Sequence, residues 1–382
     1  MINHNSKIYF DQIKEHCKNR NYYGNLIYNF FIKNKYRIVT KASLADVVII
    51  VTCAFNELRE NYYLKRIEMF RKMDLGNKKI IVSYCLPKIS SSFKKSRNME
   101  VVGPYELNKF NKLFEHNLSI KKTFFEPYAI INLSTEKQNN ECVVQICQGC
   151  RNNCSYCTIK KAKGDVKSKN IIEIVEEIKQ GIKNKQKTFH LIGDDCGSYG
   201  LDKDTNIAQL FNKINDLNGN FKFHIYNFNP MGLLSSFDKM NTEIFKKISV
   251  IVLPIQSFNQ RILNIMNRKY EIEKVMDIVK NIKLISPSVY MVTHIIYGFP
   301  TETRKEFEYN LTNDYLNNFD MIVPLLYSDR LDTLAIKLKG KINKEEKNYR
   351  LCRVLELAKN NSKIGPIKDI LMEKKEYFKN EK

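Results

Sequence analysis

Val143-Val-Gln-Ile146-Cys-Gln-Gly149-Cys150-Arg-Asn-Asn-Cys154-Ser-Tyr156-Cys157-Thr-Ile159 is a short, β-branched run that empties into three closely spaced cysteines. Val143–Ile146 reads as a buried strand, because Val and Ile suit a pleated, covered surface. Downstream, Ile171–Ile182 has apolar residues at 171, 174, 175, 178 and 182, the spacing of one helix face. Apolar runs then recur at Thr188–Ile192, Phe223–Tyr226, Val250–Ile255, Val289–Ile296 and Met321–Leu326, with helical stretches between several of them. Six strands in β/α alternation predict either a partial barrel or an open wound sheet. Both architectures put their chemistry at the C-terminal ends of the strands, which is where the cysteines lie.

Upstream, the first third reads as a second α/β unit. Ile8–Phe10, Ala45–Val51 and Ile80–Val82 are candidate strands. Asn25–Ile32 and Leu58–Asp74 have helical spacing, and Gly103-Pro104 is a turn before a short helix. An open, mostly parallel sheet is expected there. The polar stretch Lys122–Asn140 marks the boundary. The expected domains are 1–125, an N-terminal α/β domain; 140–335, a partial (β/α)6 barrel; and 336–382, a charged helical extension.

The whole chain has 382 residues, 43% of them hydrophobic and 27% charged, which excludes global disorder and a fibrous repeat. The longest apolar run, Ala45–Phe55, still contains Asp46, so no membrane span is expected. No basic segment followed by an apolar stretch opens the chain, and a cytoplasmic protein is expected. The net charge of +22 (63 basic against 41 acidic residues) has two readings. One is a polyanionic partner such as nucleic acid. The other is a Lys-rich composition spread over the whole chain without a role.

Ten cysteines in a chain without an export signal point to metal or cluster ligation rather than disulfides. Cys150, Cys154 and Cys157 can wrap three corners of a cubane iron–sulfur cluster and leave one iron open to chelate a cofactor. A zinc site pairing Cys147 with Cys150 and Cys154 with Cys157 is the competing reading. Its weakness is the three-residue loop between the pairs, shorter than zinc sites of that type use.

The Cys-x3-Cys-x2-Cys pattern, with an aromatic residue before the third cysteine, resembles the signature of radical S-adenosylmethionine (SAM) enzymes. Gly149–Ile159 is similar to the methylthiotransferase version of it. Gly193-Asp-Asp-Cys-Gly-Ser-Tyr-Gly200-Leu-Asp202, Leu253-Pro-Ile-Gln256-Ser257 with Leu263, Met266, Arg268 and Tyr270, Thr293–Thr303, and Tyr327-Ser-Asp-Arg330 with Thr333 and Ala335 are similar to that family's later blocks. The likeness runs from about Ile8 to about Leu357. It implies a partial (β/α)6 radical SAM barrel after an N-terminal domain, and two [4Fe–4S] clusters with SAM as cofactors. Cys150, Cys154 and Cys157 would hold the SAM-binding cluster. Cys17, Cys53 and Cys85 would hold an auxiliary one, Cys17 being the weaker match because His16 stands where the family has glycine. Tyr156, Gly193, Asp194, Gln256 and Ser257 would contact the cofactor.

The activity implied is replacement of a C–H by C–SCH3. One SAM would donate a methyl group to sulfur at the auxiliary cluster, and a second would yield the radical that activates the substrate carbon. A modified adenosine of tRNA beside the anticodon is the expected substrate, since Gln256-Ser257 is closer to the tRNA-acting branches than to the ribosomal-protein branch. An electron donor such as flavodoxin or ferredoxin, and a monomer, are expected.

Several residues depart from the pattern. Lys160 stands for proline, Lys163-Gly164 for Arg-Gly, Phe258 for glycine, His294 for aspartate and Thr301 for glycine. Lysine lacks the bidentate fork of arginine, so a substrate contact at Lys163 is expected to change. Phe258 is expected to alter what a substrate pocket accepts. Lys160, Lys161, Lys163, Lys167 and Lys169 form either a basic lip beside the cluster or a solvated face. The small all-β RNA-binding domain of tRNA-acting members is expected to be missing after Ala358. Two alternatives follow: a sulfur-inserting enzyme for a peptide, protein or small molecule, and a non-catalytic, cluster-containing nucleic-acid-binding protein.

Overall fold

The computed structural model describes residues 1–11, 17–73, 78–124 and 140–368, together with 370, 371 and 374. Most of the expected linker (125–139), Asp74 and most of the tail beyond 371 lie outside these. The chain forms two compact units. One is Met1–Asn139 with Lys161–Gly164, and the other is Asn140–Lys160 with Asp165–Lys382. No helix among the described residues is long and apolar enough to cross a membrane.

The first unit is built on a five-stranded, all-parallel sheet: β1 (Lys7–Asp11), β2 (Arg37–Val39), β3 (Val47–Thr52), β4 (Lys79–Tyr84) and β5 (Met99–Val102), in the order β2-β1-β3-β4-β5. Val47–Thr52 is buried along its whole length, as a central strand covered on both faces must be. Helix α1 (Lys18–Lys33) offers Tyr23, Leu26, Ile27, Phe30 and Phe31 as one buried face. Phe30 and Phe31 meet Phe110 and Phe114 edge-on or tilted, the Phe31 and Phe114 centroids lying 4.8 Å apart. Helix α2 (Glu57–Lys72) starts where the Asn56 side chain accepts from the Arg59 amide. The strand order reverses between β1 and β3, and in open α/β sheets that switch point is where ligands bind.

The second unit carries six parallel strands that neighbour one another in chain order: β6 (Glu141–Gln145), β7 (Thr188–Ile192), β8 (Lys222–Ile225), β9 (Ile248–Val252), β10 (Tyr290–Tyr297) and β11 (Met321–Leu326). This is the winding of a β/α barrel left open between its first and last strands. Helices α3 (Ile171–Lys183), α4 (Ile207–Asn215), α5 (Pro230–Ser236), α6 (Gln260–Ile265), α7 (Ile272–Ile285), α8 (Arg304–Thr312) and α9 (Lys344–Asn360) follow or join the strands. Capping is explicit at α4 and α8, where Asn206 with Gln209 and Thr303 with Glu306 form reciprocal boxes.

Two expectations are corrected here. Phe258 is buried in the helix-covered core, its ring 5.8 Å from Tyr315 and 6.1 Å from Phe319, so it acts there as a packing residue. Three of the five lysines after the cysteine loop are engaged rather than free. Lys160 pairs with Asp165 (2.6 Å), Lys169 pairs with Glu177 (2.8 Å), and Lys163 is buried.

Candidate functional site

The cysteine loop leaves β6 through a two-residue antiparallel bridge, Cys147-Gln148 against Lys167-Ser168. Gly149 then takes φ +76°, a left-handed conformation that side chains disfavour, and turns the chain toward Cys150. Its amide donates to the Asp194 carboxylate (2.9 Å). The loop is also held from the far side of the barrel mouth. Ser155 N and Oγ donate to the carbonyls of Met266 and Ile265 (both 2.9 Å), Asn267 Nδ2 donates to Asn153 O (2.7 Å), and Ala335 N donates to Ser155 O (2.7 Å).

Each of the three sulfurs faces one N–H donor. Asn152 Nδ2 lies 3.7 Å from Cys150 Sγ, Arg268 Nη1 lies 3.6 Å from Cys154 Sγ, and the Ile159 amide lies 3.5 Å from Cys157 Sγ. Hydrogen bonds of this kind suit sulfurs that carry thiolate charge and tune a bound cluster. Burial, then the Asp195 carboxylate, raises the Cys150 thiol. Burial and the neighbouring Cys154 push Cys157 up to about 12. Metal binding at this loop would therefore displace protons. Among the described residues no three His, Cys, Asp or Glu side chains converge on one metal-ion position. The thiol donors, their N–H partners and the open flank fit a three-cysteine [4Fe–4S] cluster.

Two side chains that the sequence reading leaves without a role organise the loop. Asp195 is buried, and burial raises its pKa. It accepts from Ser198 Oγ (2.6 Å) and Asn152 Nδ2 (2.5 Å), and its Oδ2 is 3.4 Å from Cys150 Sγ. Arg268 spans four groups: Cys154 Sγ, Tyr156 Oη (3.4 Å), Pro254 O (2.7 Å) and Tyr270 Oη (3.1 Å). Both act on the cysteines only through tertiary convergence, so no local signal marks them. A shallow depression, open to solvent, adjoins Cys154 between Asn152, Asn229, Asn267, Arg268 and Tyr270.

The expected cofactor contacts divide. Tyr156 sits beside Cys154 with its ring edge-on to Phe299 (6.5 Å). Gln256, with φ +79°, is 8% exposed, and its Oε1 is buried without a hydrogen-bond partner among the described residues. An orphaned buried acceptor costs about 1–3 kcal/mol unless a ligand meets it, so Gln256 fits a role toward a bound molecule such as SAM. Asp194 holds the Gly149 amide. At Gly193 a Cβ would stand 2.5 Å from Cys147 Sγ and 3.0 Å from Cys196 Sγ, so the glycine is required by packing. Ser257 is fully buried, and its hydroxyl meets Asn310 Oδ1 (3.0 Å) and the Asn259 amide (3.1 Å), away from the cysteines.

In the first unit, Cys17 immediately precedes α1, Cys53 follows β3 directly, and Cys85 follows β4 directly. All three therefore lie on the C-terminal side of adjacent strands, with Cys17 and Cys53 flanking the switch point. The strand ends are tied together. Arg20 Nε and Nη2 donate to Val51 O (3.0 and 2.7 Å), Thr52 Oγ1 donates to Ser83 O (2.6 Å), and the Leu86 amide donates to Thr52 Oγ1 (3.3 Å). Beside Cys85, Tyr84 takes φ +81°, and its hydroxyl accepts from Lys163 Nζ (2.5 Å). Lys163 thus makes a buried contact within this unit, where the sequence reading expects a substrate contact. None of the ten cysteines is in a disulfide.

Comparison with known proteins agrees with this geometry. Residues 144–311 match the Radical SAM superfamily, and residues 14–103 match the uncharacterized protein family UPF0004. A tRNA-2-methylthio-N(6)-dimethylallyladenosine synthase of Clostridium botulinum (strain Hall) is 29% identical over 350 residues, covering 86% of this chain and 78% of that protein. The protein of the same name from Thermodesulfovibrio yellowstonii is 28% identical over 352 residues, covering 88% and 81%. Among solved structures, the radical SAM methyltransferase TsrM from Kitasatospora setae, with cobalamin and a [4Fe–4S] cluster bound, superposes with a TM-score of 0.59. Its identity is 10%, and the match covers 88% of this chain and 77% of that one, a likeness of fold alone. The chain thus carries a Radical SAM domain and a UPF0004 domain, is similar over most of its length to tRNA methylthiotransferases, and is a radical SAM enzyme with SAM and [4Fe–4S] clusters as its cofactors.

Proposed function

We infer that this enzyme places a methylthio group on an N6-modified adenosine of tRNA beside the anticodon. The observation that carries the reading is the pair of three-cysteine sets, each at the C-terminal edge of its own parallel sheet. Cys150, Cys154 and Cys157 would hold one [4Fe–4S] cluster, and Cys17, Cys53 and Cys85 the other. When bound, the clusters and SAM supply a 5′-deoxyadenosyl radical and a sulfur to be methylated and delivered. The chain's own groups hold that chemistry in place. Asn152, Arg268 and the Ile159 amide lower the charge borne by the three sulfurs of the loop. Asp194 and Asp195 fix the loop's entry. Tyr156 and Gln256 are the residues assigned to SAM. The names of the relatives and the +22 charge support tRNA as the partner. A small protein such as flavodoxin or ferredoxin is the assigned electron source, and the enzyme is assigned as a monomer.

Anaerobic reconstitution followed by iron counting tests the reading. Wild type should carry about eight irons, and a Cys150/Cys154/Cys157 triple-alanine variant about four. About four irons falling to none would leave Cys17, Cys53 and Cys85 without a cluster and would reduce the protein to a single-cluster radical SAM enzyme.

A further inference from the structure

Among the described residues five Lys or Arg side chains are buried: Arg20, Lys163, Arg268, Arg330 and Arg350. A buried cation is costly unless negative charge answers it. Arg350 meets the Glu302 carboxylate, and Arg268 faces the Cys154 sulfur. Arg20 and Lys163 both belong to the first unit. Both stand at the strand edge that carries Cys17, Cys53 and Cys85.

Cys17 precedes α1, and Arg20 follows it by one helical turn. The Arg20 side chain is fully enclosed. Its Nε and Nη2 hold Val51 O, two residues before Cys53, and its Nη1 donates to Asn21 Oδ1 (3.2 Å). These neutral acceptors fix the guanidinium at the end of β3, between the segments that bring in Cys17 and Cys53. Lys163 is on the other flank. Its neighbour Ala162 packs in the same core cluster as Cys53, Tyr84 and Cys85. The Lys163 ammonium meets the Tyr84 hydroxyl and lies 4.4 Å from the centroid of that ring. Tyr84 immediately precedes Cys85, and its ring rests against Tyr23 (4.6 Å). Burial raises the Tyr23 pKa, Cys85 adds to the rise and Lys163 opposes it, so both groups lie within electrostatic reach of one hydroxyl.

Three thiolates outweigh the positive charge of a [4Fe–4S] core, so a cluster bound by them is an anion, and each added electron makes it more negative. Cations fixed beside it favour the reduced state. Reduction moves one electron from an external donor into the core, and no bond to the protein forms or breaks. Even a unit charge ~10 Å away, at an effective dielectric of ~20, shifts such an equilibrium by roughly tenfold.

We propose that Arg20 and Lys163 are the charge partners of the cluster held by Cys17, Cys53 and Cys85, and that they raise its reduction potential. The proposal rests on the two-cluster reading above. Both are positioning residues: they act on the substrate only through the cluster whose charge they balance.

The test uses the full-length chain with Cys150, Cys154 and Cys157 replaced by alanine and reconstituted anaerobically, so that only the N-terminal cluster remains. Iron is counted first. The cluster is then titrated with dithionite, and the electron paramagnetic resonance signal of its reduced form is followed against potential. In this background Arg20→Met and Lys163→Met should each lower the reduction equilibrium constant by about tenfold, about 59 mV for one electron. Arg20→Lys and Lys163→Arg, which keep the charge, should stay within ~3-fold of the background. If Arg20→Met does not fold, as circular dichroism of the cluster-free protein would show, Lys163→Met decides by the same criterion. A potential unmoved by the methionine variants, or moved as far by the conservative ones, overturns the proposal and leaves the two-cluster reading standing. A background chain that holds no iron overturns both.

Discussion

Arg350 on α9 reaches into the loop after β10 and closes a buried ion pair with Glu302 (2.5 Å), both side chains being almost wholly enclosed. Glu302 also accepts from the Gly298 amide (2.7 Å) and from Asn310 Nδ2 (3.2 Å), and Arg350 Nη2 donates to Glu302 O (2.8 Å). Burial pushes Glu302 up to about 7, although Arg350, the amide and Asn310 all favour its charged form. Arg350→Met removes the one cation and carries the Glu302 pKa higher still. Above pH 7 the folded variant would hold a proton that the unfolded chain, with an ordinary carboxyl pKa near 4.3, has released. Its stability must then fall as pH rises, by up to about 1.4 kcal/mol per pH unit, whereas wild type has already levelled off. At pH 6 both proteins keep Glu302 largely protonated, and the variant lacks only the guanidinium's hydrogen bonds to a neutral carboxyl and its ion pair with Glu346, about 1–2 kcal/mol. Near pH 8.5 the deficit should reach the roughly 3–5 kcal/mol typical of a broken buried pair. Urea unfolding of the cluster-free proteins from pH 6 to 9 would measure it, with Glu302→Gln as the background in which the pH dependence should vanish. A deficit that stays flat across that range refutes the argument.

Thr301 stands where the resemblance expects glycine, and it has φ +71°. Left-handed backbone costs a β-branched residue about 1–2 kcal/mol, and glycine gives back about 0.5–1 kcal/mol in chain entropy. Thr301→Gly should therefore stabilise the protein by about 0.5–1 kcal/mol in the same urea assay. A loss of stability would mean that the Arg261 contact to Thr301 Oγ1 (3.2 Å) outweighs the strain. Gly193→Ala should destabilise by about 1–3 kcal/mol, because its Cβ would overlap Cys147 Sγ. Adding Cys147→Ala should recover part of that loss, and a double variant no better than the single one would show that the overlap is not the cause.

Much of this fold was legible because parallel strands covered on both faces read as continuous Val/Ile runs, as Val47–Thr52 does. Arg37–Val39 and Met99–Val102 were not, since three or four residues beside charged neighbours show no period. The cysteine loop was legible because its ligand types and spacing are local in sequence. Asp195 and Arg268 were not, because their bearing on Cys150 and Cys154 exists only after β6, β7 and β9 align. Phe258 misled for a related reason. Gln256 adopts φ +79°, which breaks the strand's alternation and sends the next residues into the helix-covered core. Thr301 is the converse, a residue whose backbone explains why glycine is the natural occupant.

The two cysteine sets also differ in when they can exist. Cys150, Cys154 and Cys157 sit on one short loop, so they can gather iron on a chain that has not yet folded, at little loop-closure cost. Cys17, Cys53 and Cys85 are brought together only by β1, β3 and β4 lying side by side, and β1 must find β3 past the intervening β2. A cluster held there, as proposed above, would wait for a non-local sheet to form, a slower event. Under that proposal assembly has a built-in order: the loop would be competent first, and the N-terminal edge only as a product of folding.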